Sequence, residues 1–377
     1  MEMTAEQLAA LQPGTYHLID IRDVRSREYG IIPGAEGMRA EELTDAPPAD
    51  GKPIVIYCAR GQFSLDAAET LQAAGIEAYS LKGGYSAWLQ QEMRKSNDAE
   101  VKARVESSLR KRFREKIWCN FTMAIQQYEL VKPNDRIAVC ISGGKDSMLM
   151  AKLFQELKLH NKFPFEVKFL VMDPGYSPEN RRVIEENARK LDIPIHIFES
   201  EIFDSVYNVE KSPCYLCARM RRGYLYRYAQ ELGCNKIALG HHYDDVIETI
   251  LMGMLWGAQI QTMMPKLHST NFPGMELIRP LYLIREDDIK RWRDANDLHF
   301  IQCACKFTDT CTTCNNEETR SKRQEIKMLI QELKQRNPDV EAHIFRSVEN
   351  VCLDTVIAYK QHGRKVHFLD TYDLKSE

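Results

Sequence analysis

The chain has 377 residues, 44% hydrophobic and 28% charged, with a formal net charge of −3. Such a length exceeds one ordinary core and implies two or three domains; the balance excludes a disordered or fibrous chain, and the near-neutral charge means that any nucleic-acid surface is local. The most apolar stretch, Val246 to Met264, is broken by Glu248, Gln259 and Gln261 and does not read as a membrane span, and Met1 to Pro13 lacks the pattern of a signal peptide, so a cytoplasmic chain is expected.

In chain order, Leu18 to Ile21 reads as a short strand and Tyr29 to Ala35 as a turn-rich segment. Pro53 to Tyr57 reads as a buried strand that ends at Cys58. The loop Cys58-Ala59-Arg60-Gly61-Gln62-Phe63-Ser64 leads into a helix expected over about 65–74, closed by Gly75. Ala78 to Leu81 then runs to Gly83-Gly84 and a helix carrying Trp88. A cysteine at a strand end, facing a helix N-terminus and beside Arg60, sits where negative charge on sulfur is favoured. Asp20-x-Arg22, Ile32-Pro33-Gly34-Ala35, the loop from Cys58 to Ser64 and Leu81-Lys82-Gly83-Gly84 before Trp88 together resemble the rhodanese domain, a small α/β sulfurtransferase. The resemblance implies a persulfide carried on Cys58. Ile31 stands where histidine is usual and Phe63 where a second loop arginine is common. An inert rhodanese fold used for docking is the competing reading.

Residues 93–132 read as a basic helical linker. Lys102, Arg104, Arg110, Lys111, Arg112, Arg114 and Lys116 accompany Val105, Leu109, Phe113 and Ile117, which recur every four residues as the buried stripe of an amphipathic helix. The basic face could track a phosphate backbone or simply be solvated where the helix packs on the next domain.

From Ile137 to Ile141 an apolar strand runs into Ser142-Gly143-Gly144-Lys145-Asp146-Ser147 and an amphipathic helix with Leu149, Leu153, Phe154 and Leu157. Strand, glycine loop and helix make an anion-binding construction: backbone N–H groups approach the ligand and the helix presents its positive end. Lys145 adds a charge, and Ser142 and Ser147 add hydroxyls. The spacing is not that of the Walker loop. It resembles the loop of the ATP pyrophosphatase (PP-loop) family, which implies adenylation of a carbonyl or carboxylate. Further strands are expected at Val167–Met172, before Asp173, and at Ile193–Phe198, Lys236–Leu239 and Leu277–Leu281, with a helix from Ser177 to Leu191 between the first two. Alternation of this kind predicts a doubly wound, mostly parallel sheet with ligands at its carboxyl ends. Gly240-His241-His242-Tyr243-Asp244-Asp245 lies at one such end and enters a helix near Val246. Its paired carboxylates could hold Mg²⁺ on a nucleotide phosphate or orient a reacting group.

Eleven cysteines in a chain without an export signal argue for sulfur chemistry or metal ligation rather than disulfides. Cys214-x-x-Cys217 opens a helix, followed by Arg219, Arg221 and Arg222. Cys303, Cys305, Cys311 and Cys314 follow the last strand. Soft thiolates select zinc or an iron–sulfur cluster, and spacing alone does not choose. Cys119, Cys140, Cys234 and Cys352 read as buried small hydrophobes. Cys214-x-x-Cys217-Ala218-Arg219-x-Arg221-Arg222-Gly223, with the loop at Ser142, Gly240-His241-His242 and Ile278-Arg279-Pro280-Leu281, resembles the tRNA 2-thiocytidine synthetase family. That family's fold is an adenine-nucleotide α-hydrolase-like PP-loop domain. The resemblance implies ATP, with Lys145, Asp146, Ser142, Gly143, Gly144, Ser147, Asp173, Gly240, His241 and Asp244 around it and Mg²⁺ near Asp146 or Asp245. It also implies a [4Fe-4S] cluster on three cysteines: Cys214, Cys217 and either Cys303 or Cys305.

Residues 319–377 read as a helical extension: a charged helix from Arg320 to Gln335, a short one from Val340 to Val348, and a polar, mobile tail from Lys360. The expected organisation is thus 1–92 rhodanese-like, 93–132 linker, 133–318 PP-loop domain and 319–377 extension. The expected activity is ATP-dependent tRNA thiolation, at C2 of a cytidine in the anticodon loop. Sulfur would come from cysteine desulfurase persulfide, thiosulfate or sulfide by way of Cys58, and a homodimer is expected. Thiolation of a uridine or a small molecule, or a zinc-containing nucleotide-binding regulator, are the alternatives.

Overall fold

The computed structural model describes residues 1–95, 98–160, 162–200, 213–301, 322–370 and 372. Two compact units result: Met1–Tyr243 with Met264–Thr319, and Asp244–Met263 with Arg320–Glu377. No helix among the described residues is long and apolar enough to cross a membrane.

The first unit holds two sheets. Strands β1 (Glu2–Met3), β2 (His17–Asp20), β3 (Glu36–Gly37), β4 (Ile54–Tyr57) and β5 (Ala78–Leu81) form a parallel sheet in the order β1-β5-β4-β2-β3. All four residues of β4 are fully buried, as a central strand covered on both faces requires. Gly61, at φ +92°, starts the helix Gln62–Ala73, three residues earlier than its apolar pattern suggests. Glycine is needed there, because a Cβ would lie 2.9 Å from the Gly83 nitrogen.

The second sheet comprises β6 (Arg136–Ile141), β7 (Glu166–Asp173), β8 (Ile195–Glu199), β9 (Lys236–Ala238), β10 (Lys266–His268) and β11 (Glu276–Ile278). Its order is β10-β11-β9-β6-β7-β8, parallel except for β10, which pairs antiparallel with β11 at the edge. Alternate β6 residues serve opposite faces: Ile137, Val139 and Ile141 enter one core, while Ala138 and Cys140 enter another with Leu170, Ile237 and Tyr226. The chain moves from β6 outward to β7 and β8, then returns to the other side of β6 with β9. The carboxyl ends of β6 and β9 therefore flank a topological switch point, where such folds bind ligands.

The expected linker helix spans Asp98–Arg110 and continues as π-helix over Arg114–Cys119. A stripe repeating every four residues would rotate by roughly 40° per repeat around an undisturbed α-helix. Bonds spanning five residues, from Phe113 N to Ser108 O and from Trp118 N to Phe113 O, absorb the excess. Val105, Leu109, Phe113 and Ile117 all stay buried as a result. Three of the basic residues serve this fold: Lys102 pairs with Asp192, Arg104 donates to the Asn296 carbonyl, and Arg110 pairs with Glu156. Lys111, Arg112, Arg114 and Lys116 remain exposed.

In the second unit, the helix Lys322–Arg336 buries Ile326 and Ile330, and Val340–Ser347 follows it. The tail expected to be mobile from Lys360 instead carries a hairpin, β12 (Ala358–Gln361) and β13 (Arg364–His367). His362 and Gly363, at φ +49° and +77°, supply the two left-handed positions of a tight hairpin turn, a signal the polar composition masks.

Candidate active site

The glycine loop closes on itself. Ser142 N donates to Ser147 Oγ at 3.1 Å, and Ser147 Oγ donates to the Gly144 carbonyl at 3.0 Å. Gly143 takes φ +85°, and a Cβ there would meet Ile184 at 2.6 Å and Ile301 at 2.7 Å. Gly144 caps the helix Lys145–Leu159, whose first N–H groups have no intrahelical acceptor. Across the switch point, a Cβ on Gly240 would lie 3.3 Å from Ser147 N; glycine lets the chain beyond β9 approach the loop.

Between these segments lies a cavity of about 270 Å³, lined by Ser142, Asp146, Ser147, Tyr176, Arg221, Gly240 and His241 over an apolar floor that includes Cys140 and Met172. It is at the small end of ligand sites, which run to roughly 300–1,000 Å³. Asp146 Oδ1 is buried without a hydrogen bond among the described residues, with His242 Nε2 3.9 Å away. A carboxylate oxygen left in this state fits a cation or a polar ligand group. Burial pushes the Cys140 thiol up to about 12, so this floor residue is a neutral thiol.

Lys145 lies at the rim of this arrangement, beside the lining residue Asp146. It is 1% exposed and is not one of the lining residues. Its ammonium lies 3.1 Å from Asp146 Oδ2 and 3.1 Å from Glu286 Oε1. Burial pulls its pKa down, but Asp146, Tyr29 and Glu286 outweigh burial and hold it above the ordinary lysine value. The charge thus acts on the loop's own aspartate. Asp173, expected at the nucleotide, is also occupied: Oδ1 accepts from Gly175 N and Tyr176 N, and Oδ2 pairs with Arg181. It shapes the turn that brings Tyr176 to the cavity. Asp244 and Asp245 begin the helix Tyr243–Gly257 and belong to the second unit, where Arg323 pairs with Asp245 at 2.7 Å. Tyr176 and Glu286 carried no motif and were not legible as site residues.

Cys58 directly follows β4 and is 5% exposed. Its sulfur accepts from Gly61 N at 3.1 Å and from Ser64 Oγ at 3.5 Å. Ile31 and Phe63, at the two positions that depart from the rhodanese pattern, are 41% and 53% exposed. Cys140 and Cys234 are buried as expected; Cys119 is half-buried and Cys352 is exposed, which corrects the reading of those two as core residues. Cys352 lies beyond the helix Val340–Ser347, at the start of the short turn Leu353–Thr355, in a stretch that is itself exposed.

Cys214 and Cys217 lie near the start of the helix Pro213–Glu231, seven and four positions before cavity-lining Arg221. At that spacing the three Cα positions fall along one helix face. The side chains of Cys214 and Cys217, and all of Cys303, Cys305, Cys311 and Cys314, lie outside the described residues. Among the described residues, no group of three or more His, Cys, Asp or Glu is placed to hold a metal ion.

Residues 114–312 match the PP-loop domain family and residues 4–91 the rhodanese-like domain. A tRNA-cytidine(32) 2-sulfurtransferase from Polaromonas naphthalenivorans is 33% identical over 277 residues, covering 71% of this chain and 84% of its own. One from Coxiella burnetii is 34% identical over 247 residues, covering 64% of this chain and 91% of its own. Among solved structures, the U34-tRNA thiolase NcsA from Methanococcus maripaludis, with its [4Fe-4S] cluster, is 22% identical at a TM-score of 0.48, covering 61% of this chain and 76% of that one.

Proposed function

The chain belongs to the PP-loop family of tRNA-cytidine(32) 2-sulfurtransferases, and on that premise we propose that it thiolates a tRNA base in the cytoplasm, replacing the C2 oxygen of an anticodon-loop cytidine with sulfur at the expense of ATP. The observation that carries this reading is the cavity at the switch point. It joins the glycine loop to Gly240-His241 and to Arg221, which shares a helix with Cys214 and Cys217.

ATP is held with its phosphates toward the loop amides and the hydroxyls of Ser142 and Ser147. The base carbonyl oxygen attacks the α-phosphorus and pyrophosphate leaves, which turns a poor leaving oxygen into a good one. A sulfur nucleophile then adds at C2, and AMP departs with the former carbonyl oxygen. Mg²⁺ would be held by Asp146 through Oδ1 and would offset phosphate charge. The thiolate set Cys214, Cys217 and Cys303 or Cys305 suits an iron–sulfur cluster in its soft-donor chemistry, and such a cluster would supply an open iron as a soft binding position for sulfide. The Cys58 thiolate takes the sulfane sulfur of a persulfide or thiosulfate donor, forming a Cys58 persulfide as the donor leaves as thiol or sulfite, and a dithiol reductant then releases that sulfur at the sulfide level, reforming the Cys58 thiol, for attack at C2.

The test is thiolated nucleoside in tRNA digests, measured by mass spectrometry after incubation with ATP, Mg²⁺, sulfide and anaerobically reconstituted protein. 2-Thiocytidine is expected, and its loss is expected in Cys214→Ser/Cys217→Ser. Continued base thiolation in that double variant would refute the assignment, and a thiolated uridine would move the target base.

A further inference from the structure

A third residue beside Lys145 comes from the N-terminal domain. The ring of Tyr29 stands 4.7 Å from the Lys145 ammonium, which also meets Glu286 and Asp146. Tyr29 ends the short helix Val24–Glu28 of the N-terminal domain, and its backbone is pinned from both domains. Arg293 Nη1 donates to the Tyr29 carbonyl at 2.5 Å and to that of Glu28 at 3.3 Å. Arg22 Nη2 donates to the next carbonyl, Gly30, at 2.8 Å. Arg293 shares the helix Glu286–Ala295 with Glu286 and Lys290, at spacings that place all three on one face. Lys290 lies 3.5 Å from Glu286 and 3.8 Å from Glu28. One helix face therefore holds both the lysine's carboxylate partner and the peptide that presents the tyrosine ring.

A buried ammonium needs partners on every side to offset its lost hydration. Glu286 and Asp146 provide charge, and an aromatic face provides cation–π attraction where water is excluded. Because Lys145 engages Asp146 through Oδ2, its position decides how Oδ1 stands at the cavity. We propose that Tyr29 is a positioning residue of the nucleotide site: the N-terminal sulfurtransferase domain holds Lys145 in place and, through it, sets Asp146 for the metal–nucleotide complex. The site is on this reading built from both domains, and nucleotide handling depends on the docked N-terminal domain apart from any sulfur passing through Cys58. The proposal rests on the glycine loop being the ATP site.

Binding of a non-hydrolysable ATP analogue to the full-length chain, by calorimetry with and without Mg²⁺, tests it. Tyr29→Leu keeps apolar bulk but lacks a π face, and Tyr29→Phe keeps the face. With Mg²⁺, Tyr29→Leu is expected to bind about tenfold more weakly, the scale of one mis-set charged contact, while Tyr29→Phe binds as wild type. Without Mg²⁺ the gap between the variants is expected to close, which a general loosening of the fold would not produce. Should Tyr29→Leu fail to fold, Glu286→Gln removes another partner of the same lysine and is expected to show the same Mg²⁺-dependent loss. Variants indistinguishable from wild type, or a loss equal with and without Mg²⁺, would overturn the positioning role. A wild-type chain that does not bind the nucleotide would instead remove the ATP-site reading, and the role of Tyr29 with it.

Discussion

At the scale of single residues, the sulfur of Cys58 and the carboxylate of Asp146 are set up differently. Cys58 receives an N–H and a hydroxyl at its sulfur. Asp146 has one oxygen engaged by Lys145 and the other without a hydrogen bond among the described residues. The proposed relay makes Cys58 necessary for one donor and dispensable for another. Cys58→Ser is expected to abolish thiolation supported by thiosulfate or persulfide while retaining that supported by free sulfide, measured as thiolated nucleoside per tRNA. Equal loss with both donors would contradict the supply role.

Among the elements, the turn from β6 into the helix Lys145–Leu159 carries the most constraint. Gly143 is left-handed and has Ile184 and Ile301 where a side chain would go. Gly143→Ala is expected to destabilise the chain by about 2–4 kcal/mol, the left-handed cost of alanine plus overpacking. The check is a lowered urea midpoint together with lost nucleotide binding; an unchanged midpoint would show that the turn relaxes without strain. The linker helix teaches a related lesson. Its four-residue period was visible in Val105, Leu109, Phe113 and Ile117, but the π-helical bonds that accommodate this period depend on the core beneath it. Packing also decides the fate of its basic residues, since Lys102, Arg104 and Arg110 find partners more than forty positions away in sequence.

For the whole molecule, the proposed roles of Cys58 and of the cluster cysteines predict separable chemistries. Chelating iron from the reconstituted protein is expected to abolish base thiolation while leaving sulfur turnover at Cys58 intact, followed by loss of visible absorbance alongside both assays; joint loss would mean that the metal supports the N-terminal domain as well. What the sequence determined by itself were the local constructions: the strand–glycine–helix turn at Ser142 to Ser147, the cysteine loop after β4, the parallel alternation and the buried stripe of the linker. Each depends on neighbours a few positions apart, through backbone geometry and side-chain periodicity. Tertiary structure alone decided which charges meet. Glu286 and Tyr29 carry no motif yet meet the ammonium of Lys145, and Asp173 is drawn into its own turn. Those outcomes follow from desolvation: once a charged group is buried, its position is set by whichever distant partners can compensate it, and no spacing along the chain records that.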